Sequence, residues 1–154
     1  MTYADRCMGM ASQDPACLYG RALALGLQAK AHPVSANASL KAMLDALNKA
    51  DAADAKYDHA GPARVRALVL LRAPGWPLGP GDADAGLASA RRAVELQPDF
   101  PPNQLALGEA LAKSGDTSGS RQAYERARDE ATTFVANEDR DAWLHEANQA
   151  LQRK

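Results

Sequence analysis

The sequence predicts an all-α fold, an array of about seven helices in which three helical hairpins are followed by a C-terminal capping helix. Three observations carry that prediction. Apolar residues recur at three- and four-residue intervals through most of the chain. Aromatic residues make up only 5% of the chain while alanine is abundant, a balance that suits closely packed helices. From Pro98 to Ala127, the order Leu107-Gly108, Leu111, Gly115-Asp116, Ser120, Tyr124 and Ala127 describes two helices folded against each other. Gly108 lets the second helix approach, and Tyr124 and Leu111 fill the space around it. Asp116 sits in the turn, where its carboxylate can cap the second helix.

Residues 1–13 have no clear period and are expected to be a lead-in to a single helical domain over residues 14–154. Asp14-Pro15 reads as an N-cap with proline at the first helical position, and Leu18, Ala22, Leu25 and Ala29 follow at helical spacing. His32-Pro33 ends that helix. Ser35 to Ser39 supply caps for a second helix with the stripe Leu40, Met43, Leu44 and Leu47. Gly61-Pro62 opens a third, with Val65, Leu68 and Val69 on one side. The run Pro74-Gly75-Trp76-Pro77-Leu78-Gly79-Pro80-Gly81 cannot be helical and is a rigid loop. Asp82 caps a fourth helix with Leu87, Ala90 and Val94 facing inward, ended by Pro98. The fifth and sixth helices are the pair described above. The seventh begins near Asp139, carries Trp143, Ala147 and Leu151 on one face, and ends on Arg153 and Lys154, which suit a helix C-terminus.

The Pro98–Ala127 spacing resembles a tetratricopeptide repeat, a helix–turn–helix unit of about 34 residues. An internal echo supports a repeat: Tyr57-Asp58-His59-Ala60-Gly61-Pro62 precedes the third helix as Gln97-Pro98-Asp99-Phe100-Pro101-Pro102 precedes the fifth. The interval is about 41 residues, and the loop around Trp76 accounts for the excess. Helices one and two fit the pattern poorly, as terminal repeats do. Repeat arrays are binding surfaces for many kinds of partner, so the pattern bears on architecture more than on function.

At 154 residues, with Lys+Arg 18 against Asp+Glu 19 and a net charge of -1, the chain suits one domain and has no basic excess for nucleic acid. No apolar run approaches the ~18–20 residues of a membrane span. The opening MTYADRCMGM lacks the basic start and apolar core of a signal peptide, though a removed signal would leave the same sequence. Cys7 and Cys17 have neither redox nor zinc-pair spacing. Either they close a short loop as a disulfide, which implies an oxidising compartment such as the periplasm, or they are two ordinary thiols.

No catalytic constellation stands out, so no enzyme activity, metal or cofactor is expected. Gly75, Gly79 and Gly81 lack the preceding strand and the Lys-Ser/Thr ending of a phosphate loop. His32, His59 and His145 lie on different elements without ligand spacing, and Asp5, Asp14, Asp51, Asp54 and Asp58 read as caps or solvated carboxylates. Arg64, Arg66 and Arg72 fall on the third helix, Arg64 and Arg72 roughly on one face. They are either a polar flank that pairs with carboxylates or an anion-binding lining. Trp76 either plugs the end of the core, or walls a ligand pocket or meets a partner. Asn103 and Gln104 open the fifth helix, where peptide-binding repeats place groove-lining polar groups.

Ala73-Pro74-Gly75-Trp76-Pro77, the Gly-rich turn, Asp82, and then Ala93-Val94-Glu95-Leu96-Gln97-Pro98-Asp99-Phe100-Pro101-Pro102-Asn103 resemble the T-component-associated proteins of TRAP transporters. The resemblance covers about residues 57–130, and the Ala-Pro-Gly-Trp-Pro block is its specific part. It implies a non-enzymatic periplasmic protein, often a lipoprotein, that forms homo-oligomers and associates with a periplasmic substrate-binding protein. It also implies an apolar cavity for a small hydrophobic organic acid. Of the motif positions, Arg72, Trp76 and Asn103 are the ones to examine. The alternative expectation is a cytosolic adaptor that binds a peptide or helix in a concave groove lined by polar side chains.

Overall fold

The computed structural model describes Cys7 and residues 13–153; apart from Cys7 and Gln13, the expected lead-in lies outside the described residues. Seven α-helices occur among the described residues. They are α1 (Pro15–Ala31), α2 (Ala36–Ala53), α3 (Tyr57–Arg72), α4 (Ala83–Leu96), α5 (Pro101–Lys113), α6 (Thr117–Ala131) and α7 (Glu138–Gln152). A short 3-10 turn, Pro33–Ser35, joins the first two.

Local chemistry sets most boundaries. Asp14 Oδ1 accepts from the amides of Ala16 and Cys17 at 2.8 and 3.1 Å, so α1 begins where its first free N–H groups find a carboxylate. Asp82 accepts from Ala85 N at 2.9 Å and Asp116 from Gly119 N at 2.8 Å, opening α4 and α6 the same way. Asn137 does so for α7, accepting from Arg140 N at 2.8 Å. Ser35 holds the N-cap position of α2 without a side-chain capping bond; its hydroxyl donates to His32 O instead.

The helices pack as neighbouring hairpins, α1 on α2, α3 on α4 and α5 on α6, with α7 covering the open side of the third. Such an array places the α1–α2, α3–α4 and α5–α6 connections at one end and the intervening junctions at the other. Small side chains make the contacts close. Ala67, Ala90 and Ala110 are fully or nearly buried around Leu71, and Ala60, Ala63 and Ala93 form a similar cluster. A Cβ on Gly108 would lie 2.8 Å from the Tyr124 ring, so the α5–α6 approach requires glycine there. Cys7 and Cys17 are bonded to each other, tying residue 7 to the first turn of α1.

Two features depart from a simple amphipathic reading. The buried face of α3 is Ala63, Ala67 and Leu71, whereas Val65, Leu68 and Val69 are only half-buried. Before Gly61, the chain makes a left-handed turn at Asp58 (φ 49), His59 (φ 53) and Ala60 (φ 61), and the right-handed helix starts after it. Each non-glycine residue in that region costs roughly 1–2 kcal/mol, so the turn must be held by its surroundings.

Candidate functional site

The half-buried side of α3 opens on an apolar groove. The C-terminal part of α1, the start of α2 and the second half of α3 bound about 590 Å3. Leu40 and Met43 come from α2, and Val65, Leu68 and Val69 from α3, with Ala73 and Pro74 at the rim. The groove exists because α1 offers Gly26 and Ala29 at the facing positions, too small to fill the space. Its two charged lining residues, Lys30 and Arg72, are both cations, each in the last turn of its helix. An apolar volume of this size with few, convergent charges has the form of a small-molecule site.

Arg72 also forms part of a second, polar concavity of about 790 Å3, bounded by α3, α5, α6 and α7. Its guanidinium donates to Glu109, with Nη2–Oε2 at 2.6 Å, and that hydrogen bond holds its pKa above the usual arginine value despite partial burial. Lys113, Tyr124, His145, Glu146 and Arg153 complete the wall, and Lys113 Nζ donates to Leu71 O. Burial pushes the Tyr124 hydroxyl up, and the Glu109 and Glu146 charges add to the effect.

Arg64 lies elsewhere. Its side chain is 11% exposed and closes the left-handed turn. Nη1 donates to Asp58 O at 3.2 Å, His59 O at 3.1 Å and Asn103 Oδ1 at 3.1 Å, and Nη2 donates to Asp58 Oδ2 at 2.9 Å. The Tyr19 hydroxyl donates to the same Asp58 oxygen at 2.9 Å. Burial raises the Tyr19 pKa strongly, against the opposing Arg64 charge, which keeps that donor protonated. The Arg64 guanidinium stands 5.1 Å from the Phe100 ring, which stacks on His59 and meets Trp143 edge-on.

The expected common anion-binding face of Arg64 and Arg72 therefore divides. Arg64 is committed to Asp58 and Asn103, and Arg72 to Glu109, at separate sites. Arg66 bonds Ser89 and Asn48. The expected groove-lining role of Asn103 and Gln104 does not hold either, since they are 0% and 2% exposed. Asn103 Nδ2 donates to the carbonyls of His59, Ala93 and Gln97, and Gln104 Nε2 to that of Pro98. Asn103 thus ties backbone carbonyls of the α2–α3 and α4–α5 junctions together, and Gln104 satisfies one at the α4–α5 junction.

Trp76 is 90% exposed, so it does not plug the core. It stands on a loop closed by a bridge between Gly75 and Gly81 and by hydrogen bonds that the Leu78 and Gly79 amides donate to Gly75 O. A Cβ on Gly81 would fall 2.2 Å from Ala73 O, so the closure needs glycine there. Leu78 is exposed beside Trp76.

Among the described residues, no group of three or more His, Cys, Asp or Glu side chains could hold a metal ion. None of the helices searched is long and apolar enough to cross a membrane. Gly26 and Lys30 are missing from the sequence reading, and Ala29 is there only as part of an apolar stripe; the signal for the groove was the small-residue stretch at the end of α1. The fold and grooves define a helical-hairpin array with two concavities of opposite character. No protein-family model matches the chain, and no curated protein matches it significantly.

Proposed function

We propose that this is a non-catalytic helical-repeat binding protein that holds a small hydrophobic organic acid in the groove between α1, α2 and α3. One observation carries the reading: the groove is mostly apolar, and the charged residues that line it, Lys30 and Arg72, are cations. An alkyl chain entering it gains about 0.8 kcal/mol per buried methylene, and a carboxylate at the rim meets Lys30, beside an Arg72 that is already bonded to Glu109. The alkyl part of Arg72 covers apolar surface while its head stays polar. The bonded pair Cys7–Cys17 supports an oxidising compartment such as the periplasm. The likeness of the Ala73–Pro77 block to TRAP-transporter-associated proteins supports a role as a ligand-delivery component beside a substrate-binding protein.

Calorimetric titration with dodecanoate tests the reading. Saturable binding to the wild-type chain, weaker binding of dodecanol, and loss in Leu68→Glu are expected. No heat with dodecanoate, or equal binding by Leu68→Glu, contradicts it.

The polar concavity around Tyr124 supports a second reading, an adaptor that takes an extended peptide across α3, α5 and α7. It has donors in Arg72, Lys113 and Arg153 and acceptors in Glu109 and Glu146. Peptide-induced resonance shifts at Tyr124 and Gln149, with none at Met43, would favour it over the apolar groove.

A further inference from the structure

An exposed tryptophan on a braced loop costs solubility unless something covers it. Trp76 is 90% exposed and Leu78 77%. Proline at 74, 77 and 80 and the Gly75–Gly81 bridge restrict the loop, so little conformational entropy remains to be lost on docking. The loop joins α3 to α4, at the end of the array where α1 turns into α2. The apolar groove opens at that same end, and Ala73 and Pro74 belong to its rim. One chain therefore presents an apolar knob and an apolar recess side by side.

We propose that two copies of this chain associate about a two-fold axis, each placing the Trp76–Leu78 knob in the other's α1–α2–α3 groove. A two-fold axis brings each knob to the partner's recess without leaving an open end. Charge supports the pairing. Asp82 and Asp84 follow the loop at the start of α4, whereas Lys30 lines the groove and Arg72, itself bonded to Glu109, stands beside it, so the docked knob carries carboxylates toward Lys30. With a net charge of -1, the copies repel each other little. The groove volume of about 590 Å3 accommodates an indole with a neighbouring leucine side chain. Association would compete with a ligand in the same groove, but it does not depend on one.

Sedimentation velocity of the full chain without added ligand, from low to high micromolar concentration, tests the proposal. The wild type is expected to shift from monomer to dimer, and Trp76→Ala, at an exposed position, to raise the dissociation constant about tenfold or more. Leu68→Glu is expected to do the same through the recess. In a Trp143→Phe background the emission of Trp76 should move to the blue as the dimer forms. A wild type that stays monomeric, a Trp76→Ala dimer of unchanged affinity, or a dimer with unshifted Trp76 emission overturns the proposal. A blue shift on phosphatidylcholine vesicles from a chain that remains monomeric also overturns it, in favour of a lipid surface.

Discussion

Arg64 Nη1 and Asn103 Oδ1 lie 3.1 Å apart, and between them they hold the backbone of a strained junction. Both donate to the His59 carbonyl, Arg64 at 3.1 Å and Asn103 at 3.0 Å. Removing one partner leaves acceptors that are partly buried, and the buried Ala93 carbonyl in the case of Asn103, short of donors, which costs up to roughly 1–3 kcal/mol per group. Asn103→Ala is expected to lower stability by about 2–3 kcal/mol, and Arg64→Ala by a similar amount. Because both act on one carbonyl and one turn, the double variant should lose less than the sum, by at least about 0.5 kcal/mol. Urea unfolding of the four proteins measures this; strict additivity would separate the two side chains energetically.

Gly108 and Tyr124 form a second coupled pair. Gly108→Val should cost about 1–3 kcal/mol by forcing the ring out of the α5–α6 contact. Tyr124→Ala should cost about 2 kcal/mol as a truncation, since the ring is only half-buried. In Tyr124→Ala the added bulk at position 108 has room, so the valine should then cost clearly less. Thermal unfolding of the three variants decides it.

Tyr19 makes stability depend on alkaline pH. Its folded pKa is raised, chiefly by burial, above the ordinary value near 10. The unfolded chain therefore releases that proton first, and above about pH 10 the folded state binds more protons than the unfolded state. The contribution is fully present below about pH 10 and declines as pH rises from there. Tyr19→Phe should be less stable by about 1 kcal/mol at neutral pH, from the lost bond to Asp58, yet lose stability less steeply above pH 10. Denaturant midpoints across pH 8 to 11.5 check both effects.

Reduction removes the Cys7–Cys17 link, whose partners are 10 residues apart in sequence. By loop entropy, its loss should destabilise by roughly 3 kcal/mol. Urea midpoints with and without reductant, and with Cys7→Ser as a control insensitive to reductant, measure it.

Features set by neighbours in sequence were legible. Asp14, Asp82 and Asp116 cap helices as their positions suggest, and prolines 33, 74 and 98 fall where helices end. The Gly108–Tyr124 contact was legible too, because a missing side chain facing a large one has few other uses. The left-handed turn was not. Asp58, His59 and Ala60 look like any junction, and besides Arg64 nearby, what stabilises them comes from Tyr19 and Asn103, far away in sequence. The echo between the Tyr57–Pro62 and Gln97–Pro102 segments has a physical sense, since His59 stacks on Phe100 at 4.3 Å and Asn103 bonds both junctions. Position alone placed Asn103 and Gln104 in a groove, whereas open carbonyls at the junctions draw them inside. The Val65, Leu68 and Val69 stripe was visible, but its half-exposure follows from small residues on α1 that periodicity does not weigh.

The apolar groove is the centre of the account, and methyl resonances report on it directly. On titrating dodecanoate into the chain, the Met43 methyl and the Leu68 and Val69 methyls should shift together and saturate, while the Leu105 methyls, packed against Ala127 and Ala147, stay unchanged. No shift at Met43, Leu68 and Val69 at saturating dodecanoate, or shifts confined to residues around Tyr124, would contradict it.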